Sequence, residues 1–259
     1  RTQLLASNPS RRAKLDADLR RAGERTPGLS DERYDLTGLA HVDGVMLDPY
    51  RRAYMLVCSG DVDLVTSDVF DTVVTRAVAR PNDLFIELAG HLDLPAHVTP
   101  AVFAQARREA ERRARQQRSD ARRIELLANE DEPSSTGLDD HPDITAPECT
   151  LNEIWSLMPS TWVSAAVGSA AELDVEASAL RPIPETIGLF QMARNCNVPV
   201  VLVSDIYLTG SQLAGLLERI GVDMRLVDEV VTSADHRLGK AHGLLERVVA
   251  ERGVEPDRV

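Results

Sequence analysis

Short apolar stretches of strand length recur along this 259-residue chain. Residues 62–69 (VDLVTSDV) and 199–204 (PVVLVS) are rich in β-branched residues and predict buried strands, and residues 229–233 (EVVTS) predict a third. Amphipathic helical segments alternate with these strands. That alternation predicts an α/β fold with a doubly wound parallel sheet, whose ligands lie beyond the carboxyl ends of the strands.

Two amphipathic helices are predicted after the second and third strands. The first begins near Thr209 or Ser211, either of which can cap it, and ends at Gly221. The second runs from about Gly239 to Arg252. Their apolar faces consist of Leu213, Leu216, Leu217 and Ile220 in the first and of Leu244, Leu245, Val248 and Val249 in the second.

Residues 81–180 lie between the first two strands and predict a mostly helical insert. Thr99 followed by Pro100 is a favourable helix start. Eight arginines between residues 107 and 123 lie on the polar faces of this long helix, and they favour a solvated helix over an anion-binding surface. The remaining face is a narrow apolar stripe of Phe103, Ala106, Ala110 and Ala114.

The later part of the insert begins with an acidic segment, residues 129–149, which is rich in Pro, Ser and Asp and predicts a loop. His141 lies there among aspartates, and the surrounding composition favours a solvated turn over a metal site. A short helix follows, with an apolar face formed by Leu151, Ile154, Trp155 and Met158.

Three domains or segments follow from these patterns. Residues 1–60, with turn signals at Pro27-Gly28 and Asp48-Pro49, predict a helical N-terminal extension or the tail of an upstream domain. Residues 61–80 and 181–259 form the predicted α/β core, and the helical insert separates them.

Composition excludes several classes of function. A net charge of −12, from 41 acidic and 29 basic residues, disfavours nucleic-acid binding. The apolar runs are too short to span a membrane, and the first residues lack the apolar core of a signal peptide. Three widely spaced cysteines argue against a disulfide scaffold or a zinc cluster and favour a reducing, cytoplasmic setting.

Three polar residues fall where such a sheet places an anion site. Asp68 ends the first strand, Ser204 ends the second, and Lys240 opens the helix after the third. Lys240 is one of only two lysines, the other being Lys14. A carboxylate nucleophile, a hydroxyl donor and a fixed positive charge near a helix N-terminus are the groups that phosphoryl transfer requires.

In this order the motifs resemble those of the haloacid dehalogenase superfamily, a large group of aspartate-nucleophile phosphatases and their relatives. TSDVFDTVVTR (Thr66–Arg76) is similar to its first motif, VLVSDIYL to its second, and the lysine of RLGKAHG to its third. The sequence resembles one subgroup in particular, the hydrolases associated with or fused to bacterial glycosyltransferases. The segments that carry this likeness are DVFDT, Arg80–Phe85, Thr150–Trp155, Leu180–Thr186 and SDIYL.

The resemblance implies a role for each matching residue. Asp68 is the expected nucleophile, which forms an acyl-phosphate, and Ser204 and Lys240 complete the expected catalytic set. Thr72 and Asp205 are expected to contribute to phosphate binding. The insert is expected to be a helical cap that closes over the substrate.

The same resemblance implies Mg²⁺ between the phosphate, the carboxylate of Asp68 and the backbone carbonyl of Phe70. Two features depart from the family pattern. Phe70 stands where phosphatases of the superfamily carry a second aspartate as general acid and base, and Asp71, one place later, is either an alternative proton donor or a turn residue. The fourth, metal-binding acidic motif is absent before Val259, for which a fragment is the simplest interpretation.

The leading hypothesis is a phosphohydrolase or phosphotransferase that acts on a small phosphorylated substrate. By analogy with the subgroup, the substrate is a sugar phosphate and a glycosyltransferase is a partner or fused domain. A catalytically impaired binding or interaction module is the first alternative, because of Phe70 and the missing fourth motif. A metal-independent dehalogenase, the branch that carries an aromatic residue at this position, is the second.

Overall fold

The computed structural model describes residues 48–78, 83–128 and 146–259. The predictions for residues 1–47 and for 129–145, which include His141 and most of the acidic loop, lie outside the described residues. Within the described ranges, no helix combines the length and the apolar character needed to cross a membrane.

The described part of the chain contains five strands and nine α-helices. The strands are β1 (Val65–Ser67), β2 (Val74–Arg76), β3 (Leu180–Pro182), β4 (Val200–Ser204) and β5 (Glu229–Thr232). The helices are α1 (Asp48–Ser59), α2 (Leu84–Gly90), α3 (Pro100–Ala128), α4 (Leu151–Ser156), α5 (Ala165–Ala179), α6 (Pro184–Asn195), α7 (Gly210–Arg219), α8 (Ser233–His236) and α9 (Leu244–Glu251).

The central sheet is parallel and has the order β1-β4-β5. Ser67 is in register with Leu202 on β4, and Ser204 is in register with Thr232 on β5, so the three strands end at one edge. The strands β2 and β3 form a separate antiparallel ladder. A mixed α/β fold with a parallel sheet is therefore confirmed.

Strand β4 is buried on both faces, and its side chains alternate between two apolar clusters. Val200 and Leu202 belong to a large cluster that also includes residues of the insert helices. Val201 and Val203 belong to a smaller cluster with α9. Burial on both faces explains why the sequence of β4 is continuously apolar rather than alternating.

The insert packs as its apolar pattern predicts. Phe103, Ala110 and Ala114 on α3 are buried, and α4 buries its predicted apolar face against neighbouring helices. One arginine contradicts the expectation of a solvated helix. Arg107 is fully buried, because both oxygens of Glu172 on α5 accept hydrogen bonds from its guanidinium at 2.7 and 2.9 Å.

Two local predictions are corrected. The Asp48-Pro49 pair, predicted to mark a turn, begins helix α1, since a proline in the first turn loses no helical hydrogen bond. The predicted helix 239–252 is divided into a 3₁₀ turn, Lys240–His242, and helix α9. Gly243, which separates them, has a φ of +109°, a conformation that glycine adopts readily.

Candidate functional site

Asp68 and Lys240 meet at the carboxyl edge of the parallel sheet. Asp68 directly follows β1, and its Oδ1 lies 2.9 Å from Nζ of Lys240. The same oxygen accepts a hydrogen bond from the backbone N–H of Val69 at 2.8 Å. Oδ2 takes part in neither contact. Both side chains remain partly exposed, which leaves the carboxylate open to a ligand.

The backbone around Lys240 is held by Asp205. The amide N–H of Lys240 donates to Oδ1 of Asp205 at 2.9 Å, and Asp205 directly follows β4. Lys240 therefore lies between the ends of β1 and β4. Its backbone is bonded to Asp205 after β4, and its side chain contacts Asp68 after β1. This pairing brings three of the predicted site residues together.

Ser204 is the buried hydroxyl of the site. It is the last residue of β4, only 1% exposed, and its Oγ has no hydrogen-bond partner among the described residues. Buried hydroxyl groups without a partner are uncommon, because losing water without a replacement bond costs about 1–3 kcal/mol. The hydrogen-bonding capacity of this hydroxyl is therefore not used by the described residues.

The loop after Asp68 makes a tight turn. Asp71 has a φ of +60°, and its N–H donates to the carbonyl of Val74 at 2.7 Å. The side chain of Asp71 is exposed. The ring of Phe70 lies under the guanidinium of Arg76, with 4.1 Å between the guanidinium carbon and the ring centre.

Thr72 is held through its backbone. Its carbonyl accepts a hydrogen bond from Oγ1 of Thr186, the residue that follows Pro184-Glu185 at the start of α6, at 2.5 Å. Oγ1 of Thr186 also lies 3.1 Å from the hydroxyl of Tyr50 on α1. The turn that follows Asp68 is thus attached to two helices.

Sequence reasoning missed a polar contact between the insert and the lysine loop. Oε2 of Glu148 accepts hydrogen bonds from Oγ of Ser233 at 2.9 Å and from Arg115 at 3.3 Å. Oε1 of Glu148 comes within 3.5 Å of the point where a Cβ would stand at Gly239. The insert therefore reaches the segment that positions Lys240.

A second contact of this kind joins Arg237 to helix α4. Its guanidinium donates to both oxygens of Glu153, at 2.7 and 3.0 Å, and to the carbonyl of Glu148 at 3.0 Å. Burial raises the pKa of Glu153, but the bonds from Arg237 and Thr150 outweigh it and leave that pKa lowered. The T-x-x-E pattern of Thr150 and Glu153 signals the capping box of α4, although it does not reveal Arg237.

Behind the site lies a buried charged layer. Glu172 accepts from Arg107 and also from Nε1 of Trp155, at 2.8 Å. The guanidinium of Arg107 lies 4.9 Å from the ring centre of Tyr207, three residues beyond Ser204. Burial alone lowers the pKa of Arg107, but the negative charge of Glu172 outweighs it and leaves that pKa raised.

The layer extends to Phe70 through Glu176 on α5. Its Oε2 lies 3.5 Å from Nε of Arg76, which covers the Phe70 ring. Burial raises the pKa of Glu176, and the positive charge of Arg76 offsets only part of that shift. Arginines of the insert and of β2 thus serve internal ion pairs next to the site.

The donors available for Mg²⁺ are few. Across the described ranges, no group of three or more His, Cys, Asp or Glu residues is arranged to hold a metal. The carboxylate of Asp68 and the carbonyl of Phe70 are oxygen donors of the kind Mg²⁺ prefers. They fit an ion that brings its own waters and the oxygens of a phosphate, and they do not fit an ion held by protein ligands alone.

Fold and site together define a mixed α/β protein with a carboxylate–ammonium pair at the carboxyl edge of a parallel sheet. Comparison with family models and with curated proteins finds no match to this chain. The likeness to the haloacid dehalogenase superfamily therefore rests on the sequence motifs alone.

Proposed function

We propose that the chain is a phosphohydrolase or phosphotransferase of the haloacid dehalogenase type, with Asp68 as the nucleophile. The observation that carries this proposal is the 2.9 Å contact between Asp68 and Lys240 at the carboxyl edge of the sheet. The buried hydroxyl of Ser204 supports it, because this group has no hydrogen-bond partner among the described residues.

Asp68 is arranged for attack through one of its two oxygens. Oδ1 is held by Lys240 and by the N–H of Val69, so Oδ2 is the oxygen that attacks phosphorus. The P–O bond to the leaving alcohol breaks and an acyl-phosphate forms on Asp68. Water then cleaves the acyl-phosphate and regenerates the carboxylate, whereas an acceptor hydroxyl gives transfer instead.

Lys240 and Ser204 act on the phosphoryl oxygens. The ammonium group of Lys240 balances the charge that spreads over these oxygens in the transition state. The hydroxyl of Ser204, which has no hydrogen-bond partner among the described residues, donates a hydrogen bond to a phosphoryl oxygen. The contact of Asp205 with the Lys240 amide makes it a positioning residue for Lys240.

Phe70 limits the range of leaving groups. Its side chain has no proton to donate, and Asp71 is an exposed residue of a tight turn. In this proposal a leaving alcohol takes its proton from water, without the general acid catalysis that is worth about 10²- to 10⁴-fold. Aryl phosphates and sugar 1-phosphates with activated leaving groups are the expected substrates, in preference to simple alkyl esters.

Mg²⁺ is the proposed cofactor, and Asp68 and the Phe70 carbonyl are the residues that would hold it. When bound, the ion would neutralise phosphate charge and orient the phosphoryl group. The glycosyltransferase association of the resembled subgroup supports a sugar phosphate as the substrate and a glycosyltransferase as the partner or fused domain.

The test is hydrolysis of p-nitrophenyl phosphate in the presence of Mg²⁺. We expect Asp68→Asn to lower kcat/KM by about 10³-fold or more and Lys240→Met to lower it by about 10²- to 10³-fold. Asp61→Asn is the matched control, since Asp61 is exposed before β1, away from the carboxyl edge. Activity that survives in Asp68→Asn contradicts the proposed nucleophile.

A phosphate-binding module is the second candidate, and the identity of Phe70 favours it, because a phenyl ring cannot act as the general acid. This reading predicts that inorganic phosphate binds with an affinity that falls in Lys240→Met, while aryl, sugar and nucleotide phosphates are not turned over. Isothermal titration with phosphate, run beside the hydrolysis assay, separates the two functions.

A further inference from the structure

Two cysteines that are far apart in sequence lie side by side. Cys58 is near the end of α1, and Cys196 is the residue that directly follows α6. Their Sγ atoms are 3.6 Å apart, although 138 positions separate them along the chain. At the other ends of these helices, the Tyr50 hydroxyl meets Thr186 at 3.1 Å. Helices α1 and α6 therefore lie parallel and are in contact at both ends.

The positions of both thiols permit a covalent bond. A disulfide requires the sulfur atoms to approach to about 2.05 Å, which is about 1.5 Å closer than they stand. Each cysteine lies at a helix end and is followed by a backbone turn, at Gly60 (φ +78°) after α1 and at Asn197 (φ +57°) after α6. Both turns lie outside the sheet, so closure of the gap between the sulfurs involves the helix ends and not the strands.

The third cysteine is in a different environment. Cys149 has no exposed surface, and burial raises the pKa of its thiol to about 11. The thiolate is the reactive form in disulfide exchange, so Cys149 is expected to stay reduced. Cys58 and Cys196 are both partly exposed and can meet an oxidant.

We propose that Cys58 and Cys196 are a reversible dithiol–disulfide site that ties α1 to α6. A small-molecule disulfide such as oxidised glutathione is the oxidant. One protein thiolate attacks it and releases one glutathione thiol, and the second protein thiolate then displaces the other. The protein loses two electrons and two protons, the glutathione disulfide gains them, and a thiol reductant reverses the exchange.

The test uses the reduced native protein, incubated with oxidised glutathione, quenched with acid and unfolded for thiol counting. We expect the count to fall from three thiols to one, with the mass of two hydrogen atoms lost from the monomer. Peptide mapping should show Cys58 joined to Cys196. Three remaining thiols, a link that includes Cys149, or stable glutathione adducts on both thiols would overturn the proposal.

Variants and thermal unfolding make the test independent of peptide mapping. Cys58→Ser and Cys196→Ser should form no intramolecular bond, whereas Cys149→Ser, the matched control, should still form it. Oxidation of the parent protein should raise the unfolding temperature by about 5 to 10 °C, since the bond closes a 138-residue loop. An unchanged or lower unfolding temperature would contradict a stabilising tie between the helices.

Discussion

At the scale of single residues, two buried serines differ in the hydrogen bonding of their hydroxyl groups. Ser204 at the end of β4 has no partner for its hydroxyl within the described ranges. Ser233 donates to Glu148 and accepts from the N–H of Ile206 at 3.0 Å. The same substitution can therefore distinguish a hydroxyl that is bonded within the fold from one that is not.

We expect Ser204→Ala to change the free energy of unfolding by less than about 1 kcal/mol, because no hydrogen bond is lost. The same change should weaken phosphate binding or turnover. Ser233→Ala should cost about 1–3 kcal/mol, since it leaves Glu148 and a backbone N–H with a missing partner. Urea unfolding measures both. Equal losses of stability in the two variants would show that the Ser204 hydroxyl is bonded within the fold.

A second residue-scale prediction concerns the ion pair of Glu153 and Arg237. The pKa of Glu153 is lowered in the folded protein, so its contribution is fully present above the ordinary glutamate pKa of about 4.3 and is lost as the pH falls through the lower folded value. Glu153→Gln keeps an acceptor for the capping box but removes the charge.

We expect Glu153→Gln to be less stable than the parent protein by about 0.5–1 kcal/mol near neutral pH, a figure discounted for solvent screening of the half-exposed pair. The difference should decrease as the pH falls below about 4.3 and through the lower pKa of the folded protein. Urea unfolding at a series of acid pH values measures it. A difference that persists in acid would show that the charge of Glu153 is not what stabilises the contact.

At the scale of elements, two helical glycines differ in how closely other residues approach them. A Cβ on Gly168 in α5 would stand 2.0 Å from a ring carbon of Trp155, which is buried between helices of the insert. A Cβ on Gly215 in α7 would meet nothing within 4 Å. Close approach explains Gly168, whereas the sequence pattern alone gives no reason for either glycine.

We expect Gly168→Ala to destabilise the protein by about 1–3 kcal/mol, because the Trp155 ring must move within a packed core. Gly215→Ala should stabilise it by about 0.5–1 kcal/mol, since alanine loses less backbone entropy in a helix. Thermal unfolding of the pair gives both signs. A neutral Gly168→Ala variant would indicate that the Trp155 ring has room to move.

At the scale of the whole molecule, the insert and the sheet share one large apolar cluster, which extends from Phe103 and Trp155 to Leu202 on β4. Polar contacts at Glu148 and Arg237 join the same two parts. A shared core should make the insert and the sheet unfold together, although the chain leaves and re-enters the sheet at separate strands.

We therefore expect one cooperative unfolding transition. Both tryptophans, Trp155 and Trp162, lie in the insert, so their fluorescence reports on the insert, whereas far-ultraviolet circular dichroism reports on all helices and strands. The two urea curves should coincide. An earlier fluorescence transition would show that the insert unfolds as a separate unit.

Much of the fold follows from local pattern. The apolar runs that form β4 and β5, the cap at Thr209 and the long helix from Pro100 are visible because burial and hydrogen-bond termination impose short-range rules on residue type. The placement of Asp68, Ser204 and Lys240 near one sheet edge follows too, since parallel strands end on the same side.

The residue pattern alone predicts the three strands of the parallel sheet, the helices after β4 and β5, and the polar residues at the strand ends, but not the β2–β3 ladder. Tertiary packing sets the partners of distant residues: Asp205 with the Lys240 amide, Glu148 with Ser233, and Cys58 with Cys196. It also buries Arg107, despite its arginine-rich helix. The reason is physical, because local patterns record burial and turns, whereas contacts across long separations depend on how completed elements pack against one another.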